Sequence, residues 1–285
     1  MINHKQFDNG YKYLEIQNDC AEAKIALQGA HLFHYKVIHK PALLWLSEMA
    51  YFEEGKAIRG GIPICFPWFG KNKENATLPQ HGFARTALWK VVLEEEVDEC
   101  HTHIRLQLQP NADTLEQWPY FFDLYLDVSI GEELSIALSV TNIDSKAFEI
   151  STALHTYFSV SDINTVSIKG LAESRYYDAL DDTHYKQKGD ILIQGEVDRV
   201  YSDPSDTITL HDDAESKVCL QQEGSNSLVV WNPWIEKSSH MADMSAEGYR
   251  SMVCLETANA REDARVLKPN ETHILKAVIS QEIQK

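Results

Sequence analysis

Apolar and polar residues alternate along long stretches of this chain with a period of two. Ile104, Leu106 and Leu108 alternate with Arg105, Gln107 and Gln109. The next run sets Phe122, Leu124, Leu126, Val128 and Ile130 on one side, and the run after it Leu134, Ile136, Leu138 and Val140. Successive side chains of a strand point to opposite faces, so this pattern predicts antiparallel strands with one buried face and one wet face. Gly131-Glu132-Glu133 between two of these runs reads as a hairpin link. The segments TITLHD, KVCLQQEG, SLVVWNP, SMVCLET and HILKAVISQEI continue the series to the C-terminus. No amphipathic helix is predicted; Thr114–Phe122 has room for one turn before Pro119 stops it. Asp178–Asp190, the most polar stretch, is expected to be a surface loop. No repeat or linker interrupts the pattern, so residues 1–285 are expected to form one β-sandwich domain of the all-β class. Strand order is not legible.

Composition limits the partners. A hydrophobic fraction of 44% with six tryptophans supplies a sizeable core, while a net charge of −17 argues against nucleic acid and anionic membranes. The same charge disfavours non-specific self-association, and a monomer is favoured slightly over a specific dimer. Any anionic ligand would need Arg or Lys gathered locally against the overall field. Cys20, Cys65, Cys100, Cys219 and Cys254 are scattered and odd in number, without a CxxC pair. That pattern is expected of reduced thiols in a cytoplasmic protein. The N-terminus has no apolar run of the secretory type, and no segment is apolar for long enough to span a membrane.

Polar groups stand where strands alone have no use for them. AIRGGIPICFPWFG places Arg59 beside Gly60 and Gly61, in a turn stiffened by Pro63 and Pro67 and carrying Phe66, Trp68 and Phe69. LPQHGFAR contributes Gln80, His81 and Arg85; ALHTYFSV sets His155 in an apolar strand; VCLETANA places Glu256 after the apolar run Met252–Leu255. A histidine and a carboxylate at low dielectric suit acid–base work near neutral pH. Taken singly, the plainer reading is favoured for each: a satisfied core or edge histidine for His155 and a solvated strand end for Glu256. The guanidinium forks of Arg59 and Arg85 match phosphate or carboxylate oxygens, although in so acidic a chain each has Asp and Glu partners in plenty. Asp198 is a further hydroxyl acceptor, and Val229–Met244, with Trp231, Pro233 and Trp234, reads as a pocket-lining loop. His101 and His103 form an H-x-H, but Ile104, Leu106 and Leu108 take the buried face and leave both on the wet one. With no HExxH, no Cys/His pair at zinc spacing and no nucleotide-binding glycine loop, neither a metal nor a nucleotide cofactor is expected.

Taken in order, RGGIPICFPWFG, QHGFAR, ALHTYFSV, DRVY, VVWNPW and CLETANA resemble the signature of the hexose-6-phosphate mutarotases, a branch of the aldose 1-epimerase superfamily. The resemblance implies a galactose mutarotase-like antiparallel β-sandwich with no cofactor and a small sugar phosphate as substrate. It implies His155 and Glu256 as the catalytic pair, and Arg59, Gln80, His81, Arg85 and Asp198 as substrate-binding residues, with the arginines on the phosphate. Two other functions remain open: a sugar-binding module without turnover, and an aldose 1-epimerase for unphosphorylated sugars.

Overall fold

The structure, a computed structural model, describes residues 1–212 and 216–283. A nine-stranded antiparallel sheet contains the alternating runs, with Thr272–Ile283 bonded to Leu134–Asn142, then Phe122–Ile130, Thr102–Leu108 and Lys90–Glu96 at one edge. Phe122–Ile130 and Leu134–Asn142 bury every second residue and are joined through Gly131–Glu133, as the pattern predicts. An eight-stranded sheet has Val197–Ser202, Ser227–Asn232 and Met252–Ala258 at its centre. A four-stranded meander made of Ile2–Gln6, Lys12–Gln17, Ala21–Ala26 and His31–Val37 comes first in the chain. One apolar cluster joins the three sheets, drawing Leu126 and Leu138 from the first, Leu228 and Leu255 from the second and Leu14 and Ile25 from the third. The all-β class and the sandwich arrangement are those expected from the periodicity.

The two central strands of the eight-stranded sheet do not alternate between buried and wet. Ser227–Asn232 and Met252–Ala258 are buried at every position. Their faces nonetheless differ. Leu228, Val230, Val253 and Leu255 enter the main core, whereas Val229, Trp231 and Cys254 join a second cluster on the opposite face. That second face carries the candidate site.

Three expectations are corrected. Asp178–Asp190 is not simply a loop, because it contains the edge strand Thr183–Lys186, exposed at every position and paired with Arg175–Asp178. With both faces wet it has no apolar period to betray it. Val229–Met244 contains a short helix, Trp234–Ser239, and Trp234 packs on Tyr249 rather than lining the cavity. The cysteines are not all reduced: Cys20 and Cys100 are joined by a disulfide. Spacing could not reveal it, since 80 residues separate the two; the backbone bond from Asp19 to the Glu99 carbonyl brings their turns together. Cys65, Cys219 and Cys254 are free. No described helix is long and apolar enough to cross a membrane.

Candidate active site

Sheet register assembles the site. Leu154 pairs with Thr257 and Tyr157 with Cys254, which sets His155 directly across from Glu256. Glu256 is in turn paired with Val229, and Val229 with Val200. One step along the same face a second row runs Tyr157, Cys254, Trp231 and Asp198. A period of two therefore places His155, Glu256 and Asp198 on one surface. His155 lies flat against Tyr157, with ring centroids 4.9 Å apart and planes 11° from parallel, and meets the edge of Trp231. These contacts fix the imidazole plane.

His155 Nε2 and Glu256 Oε1 are 3.4 Å apart, and both residues are almost wholly buried. Burial pushes the Glu256 carboxyl well above the ordinary carboxylate range, and the nearby Asp198 charge adds to the effect. Burial likewise drives His155 well below the usual histidine value, with His81, Arg85 and Arg59 acting in the same direction. His81 is pushed down to about 3 by burial and then by the two arginines. The Gly70 N–H donates to His81 Nδ1, so in the neutral ring the hydrogen resides on Nε2. Asp198 is raised, chiefly by burial, while Lys237 opposes the shift from 3.8 Å away.

A cavity of about 620 Å³ opens over this surface, lined by Arg59, Gln80, His81, His155, Asp198 and Glu256 among others. Six of the seven residues singled out in the sequence thus meet there. Arg85 does not line it. Its guanidinium donates to the Gln80 carbonyl and faces an adjoining cleft of about 310 Å³, which Arg59, Lys56, Tyr157 and Asp243 also line. Arg59 borders both spaces. Its Nε and Nη2 each lie 3.1 Å from Asp243 Oδ2, and Nη1 donates to the Tyr157 hydroxyl at 2.9 Å. The glycines after it are a packing requirement: a Cβ on Gly60 would lie 2.5 Å from the Trp45 carbonyl oxygen, and both glycines have positive φ. Phe66 and Trp68 are core residues, whereas Phe69 lines the cavity.

The sequence did not point to Lys71, Lys73, Lys237, Tyr177 or Arg261, which also line the cavity. Together with Arg59 they set five cations against the two carboxylates Asp198 and Glu256, in a chain of net charge −17. Arg261 holds its guanidinium 3.4 Å over the Tyr177 ring, from a backbone at φ +56°. Lysines at a surface are the default, and the pairing of Arg261 with Tyr177 spans distant parts of the chain, so neither leaves a local signal. His103 bonds Asp127 and His101 bonds Asp98, both away from the cavity. Among the described residues, the group able to supply three metal-ligand atoms is His155, Cys254 and Glu256, within the site itself.

Comparison with known proteins agrees with this architecture. Residues 12–280 match the family described as aldose 1-epimerase. A protein of Escherichia coli K12 named "Putative glucose-6-phosphate 1-epimerase" is 36% identical over 264 residues, covering 90% of this chain and 86% of that one. A protein of Cenchrus ciliaris with the same name is 37% identical, covering 90% of this chain and 79% of its own. Among solved structures, YeaD of Salmonella typhimurium, described as "a putative mutarotase", superposes with a TM-score of 0.93 at 30% identity, over 99% of this chain and 94% of that one. A galactose mutarotase-like protein of Clostridium acetobutylicum, 15% identical with a TM-score of 0.77 over 99% of this chain and 98% of its own, shares the fold. With the match running through nearly all of its length, the chain belongs to the aldose 1-epimerase family.

Proposed function

We propose that the chain interconverts the α and β anomers of a hexose 6-phosphate, glucose 6-phosphate being the first substrate to test, with His155 and Glu256 as the acid–base pair. The observation that supports it is the pairing of these two buried groups across 3.4 Å, in a cavity bordered by five cations. Burial favours the neutral form of each, so the pair as a whole holds one proton between carboxyl and imidazole. One proton is what the reaction needs. With the proton on the imidazole, the Glu256 carboxylate removes the hydrogen of the anomeric hydroxyl while His155 protonates the ring oxygen. The O1–H electrons form the carbonyl and the C1–O5 pair leaves on O5. The pair is left as carboxylic acid and neutral imidazole. Rotation about C1–C2 presents the other carbonyl face, and closure returns both protons. Each protonation state of the pair is used once per turnover, so the same two groups serve both directions.

In this reading Asp198 and Gln80 accept and donate to sugar hydroxyls, and His81 Nε2–H donates into the cavity. Arg59, which borders both spaces, and Arg85, in the adjoining cleft, meet the phosphate where the two spaces join, and residues 1–285 act as one catalytic domain. A second reading, an epimerase for unphosphorylated aldoses, is favoured by one observation: the Arg59 guanidinium is already engaged by Asp243 and Tyr157. Saturation-transfer NMR on α-glucose 6-phosphate and on α-glucose separates the two. Acceleration of the ester alone supports the proposal, equal acceleration of both supports the second reading, and acceleration of neither overturns both.

A further inference from the structure

Cys254 has no part in the proton transfers proposed above, yet it stands beside the groups that make them. It precedes Glu256 by two positions on the strand Met252–Ala258, so the two side chains share the cavity face. One donor atom from each of His155, Cys254 and Glu256 lies within 4.8 Å of the others. The 3.4 Å between His155 Nε2 and Glu256 Oε1 is close to the edge of a zinc tetrahedron, about 3.4 Å for bonds of ~2.0–2.1 Å. Independently, His155 Nδ1 and Glu256 Oε2 are buried and lack any hydrogen-bond partner. A buried carboxylate oxygen left in that state destabilises a fold unless a ligand or solvent engages it, and a cation on the Glu256 carboxylate does so; His155 Nδ1, across the ring from Nε2, is not met by that cation.

We infer that His155, Cys254 and Glu256 form an inhibitory binding site for a thiophilic divalent cation such as zinc, with its fourth coordination position open to the cavity. One imidazole nitrogen, one thiolate and one carboxylate are a donor set that zinc accepts. The two anionic ligands cancel the charge of the ion, so the buried site is neutral overall. On binding, the Cys254 thiol gives up its proton and the acid–base pair gives up the one it holds; both pass to solvent. No electron is transferred. The bound cation takes the lone pairs on which ring opening depends, and its open position accepts water or a sugar hydroxyl. His101 and His103, by contrast, already face carboxylates at the surface and are not part of this site.

Metal binding is tested on the full chain with cadmium alone, following the thiolate-to-metal charge-transfer absorption in the ultraviolet. The expected result is one equivalent per chain, displaced by zinc, reversed by EDTA, lost in Cys254→Ala and retained in Cys65→Ala. Cys254→Ser, which preserves the side-chain volume, must lose the band as well, so a poorly folded alanine variant does not decide the matter. A band of unchanged intensity in both Cys254 variants would overturn the inference, as would no stoichiometric band in the parent protein. The inhibitory half rests on the function proposed above: zinc is expected to suppress anomer exchange, with the midpoint at least tenfold higher in Cys254→Ser. Exchange in the parent protein that persists at saturating zinc overturns that half. If no exchange is found at all, the absorption titration still decides the site.

Discussion

The register of the central sheet sets His155 directly opposite Glu256 on the cavity face, and burial moves their proton affinities in opposite directions. A second proton enters the pair only below the ordinary histidine range, and the last leaves only above the ordinary carboxylate range. The one-proton state therefore spans a broad interval, and kcat/KM for anomer exchange is expected to be flat across neutral pH. The fall on the acid side follows the depressed imidazole and the fall on the alkaline side the raised carboxyl. These values belong to the pair rather than to either residue. Measuring kcat/KM from about pH 4 to about pH 9 checks this; a single inflection at the unperturbed histidine value of about 6.5 would contradict it.

Replacing Glu256 by Gln should separate activity from stability. The variant keeps the shape and loses the proton acceptor, so exchange should fall by roughly 10²–10⁴-fold. Stability should move the other way. The Glu256 carboxyl is raised in the folded state, so its contribution is fully present below the unfolded value of about 4.3 and is lost as pH rises through the folded value. Gln has no charge to bury. Calorimetry of Glu256→Gln against the parent protein should show a Tm advantage that is absent near pH 4 and grows toward pH 8, by the same linkage. A variant less stable than the parent at every pH would refute the burial argument.

Arg59 and the rim cations are expected to differ in kind. The Arg59 guanidinium is three-quarters buried and positioned by Asp243 and Tyr157, whereas Lys71, Lys73 and Arg261 are exposed. A charge-assisted contact at such a site is worth about 1.5–3 kcal/mol, so Arg59→Ala should raise KM for the sugar phosphate by roughly 10–100-fold and spare free hexose. Lys71→Ala and Arg261→Ala should each change it by less than about fivefold, and their effect should fade with added salt. Steady-state kinetics at low and high salt test the distinction. Equal salt sensitivity for all three variants would mean that Arg59 acts only through the general field.

How much of this was legible in the sequence follows from how far each signal travels along the chain. The hairpin Phe122–Asn142 could be read because its period of two is local and one face is wet. Ser227–Asn232 and Met252–Ala258 lack that alternation, being buried on both faces, so their division into a core side and a cavity side needed the sheet. His155 and Glu256 stood out as polar residues in apolar runs, but their facing each other depends on a register 101 residues apart, which no spacing rule contains. Arg59 was visible as a cation beside glycines; its clasp by Asp243, 184 positions on, was not. Arg85 looked equivalent to Arg59 and is not, because its turn directs it to the Gln80 carbonyl and the adjoining cleft.

The Cys20–Cys100 disulfide gives the last prediction, and it concerns stability alone. It ties the turn before Ala21–Ala26 in the meander to the turn before Thr102–Leu108 in the nine-stranded sheet, closing a loop across a sequence separation of 80. Asn18 braces the same junction, donating to the Thr102 hydroxyl and the Ile130 carbonyl. A crosslink closing a loop of this length restricts the unfolded chain, and its loss costs about 2–4 kcal/mol. Neither cysteine lines the cavity, so Cys20→Ser should lower the denaturation midpoint and leave kcat for anomer exchange unchanged. Thiol titration of the unreduced, denatured chain should find the three free cysteines and not five. Five titrating thiols, with an unchanged midpoint in Cys20→Ser, would show that the junction is held by Asn18 and packing without the covalent link.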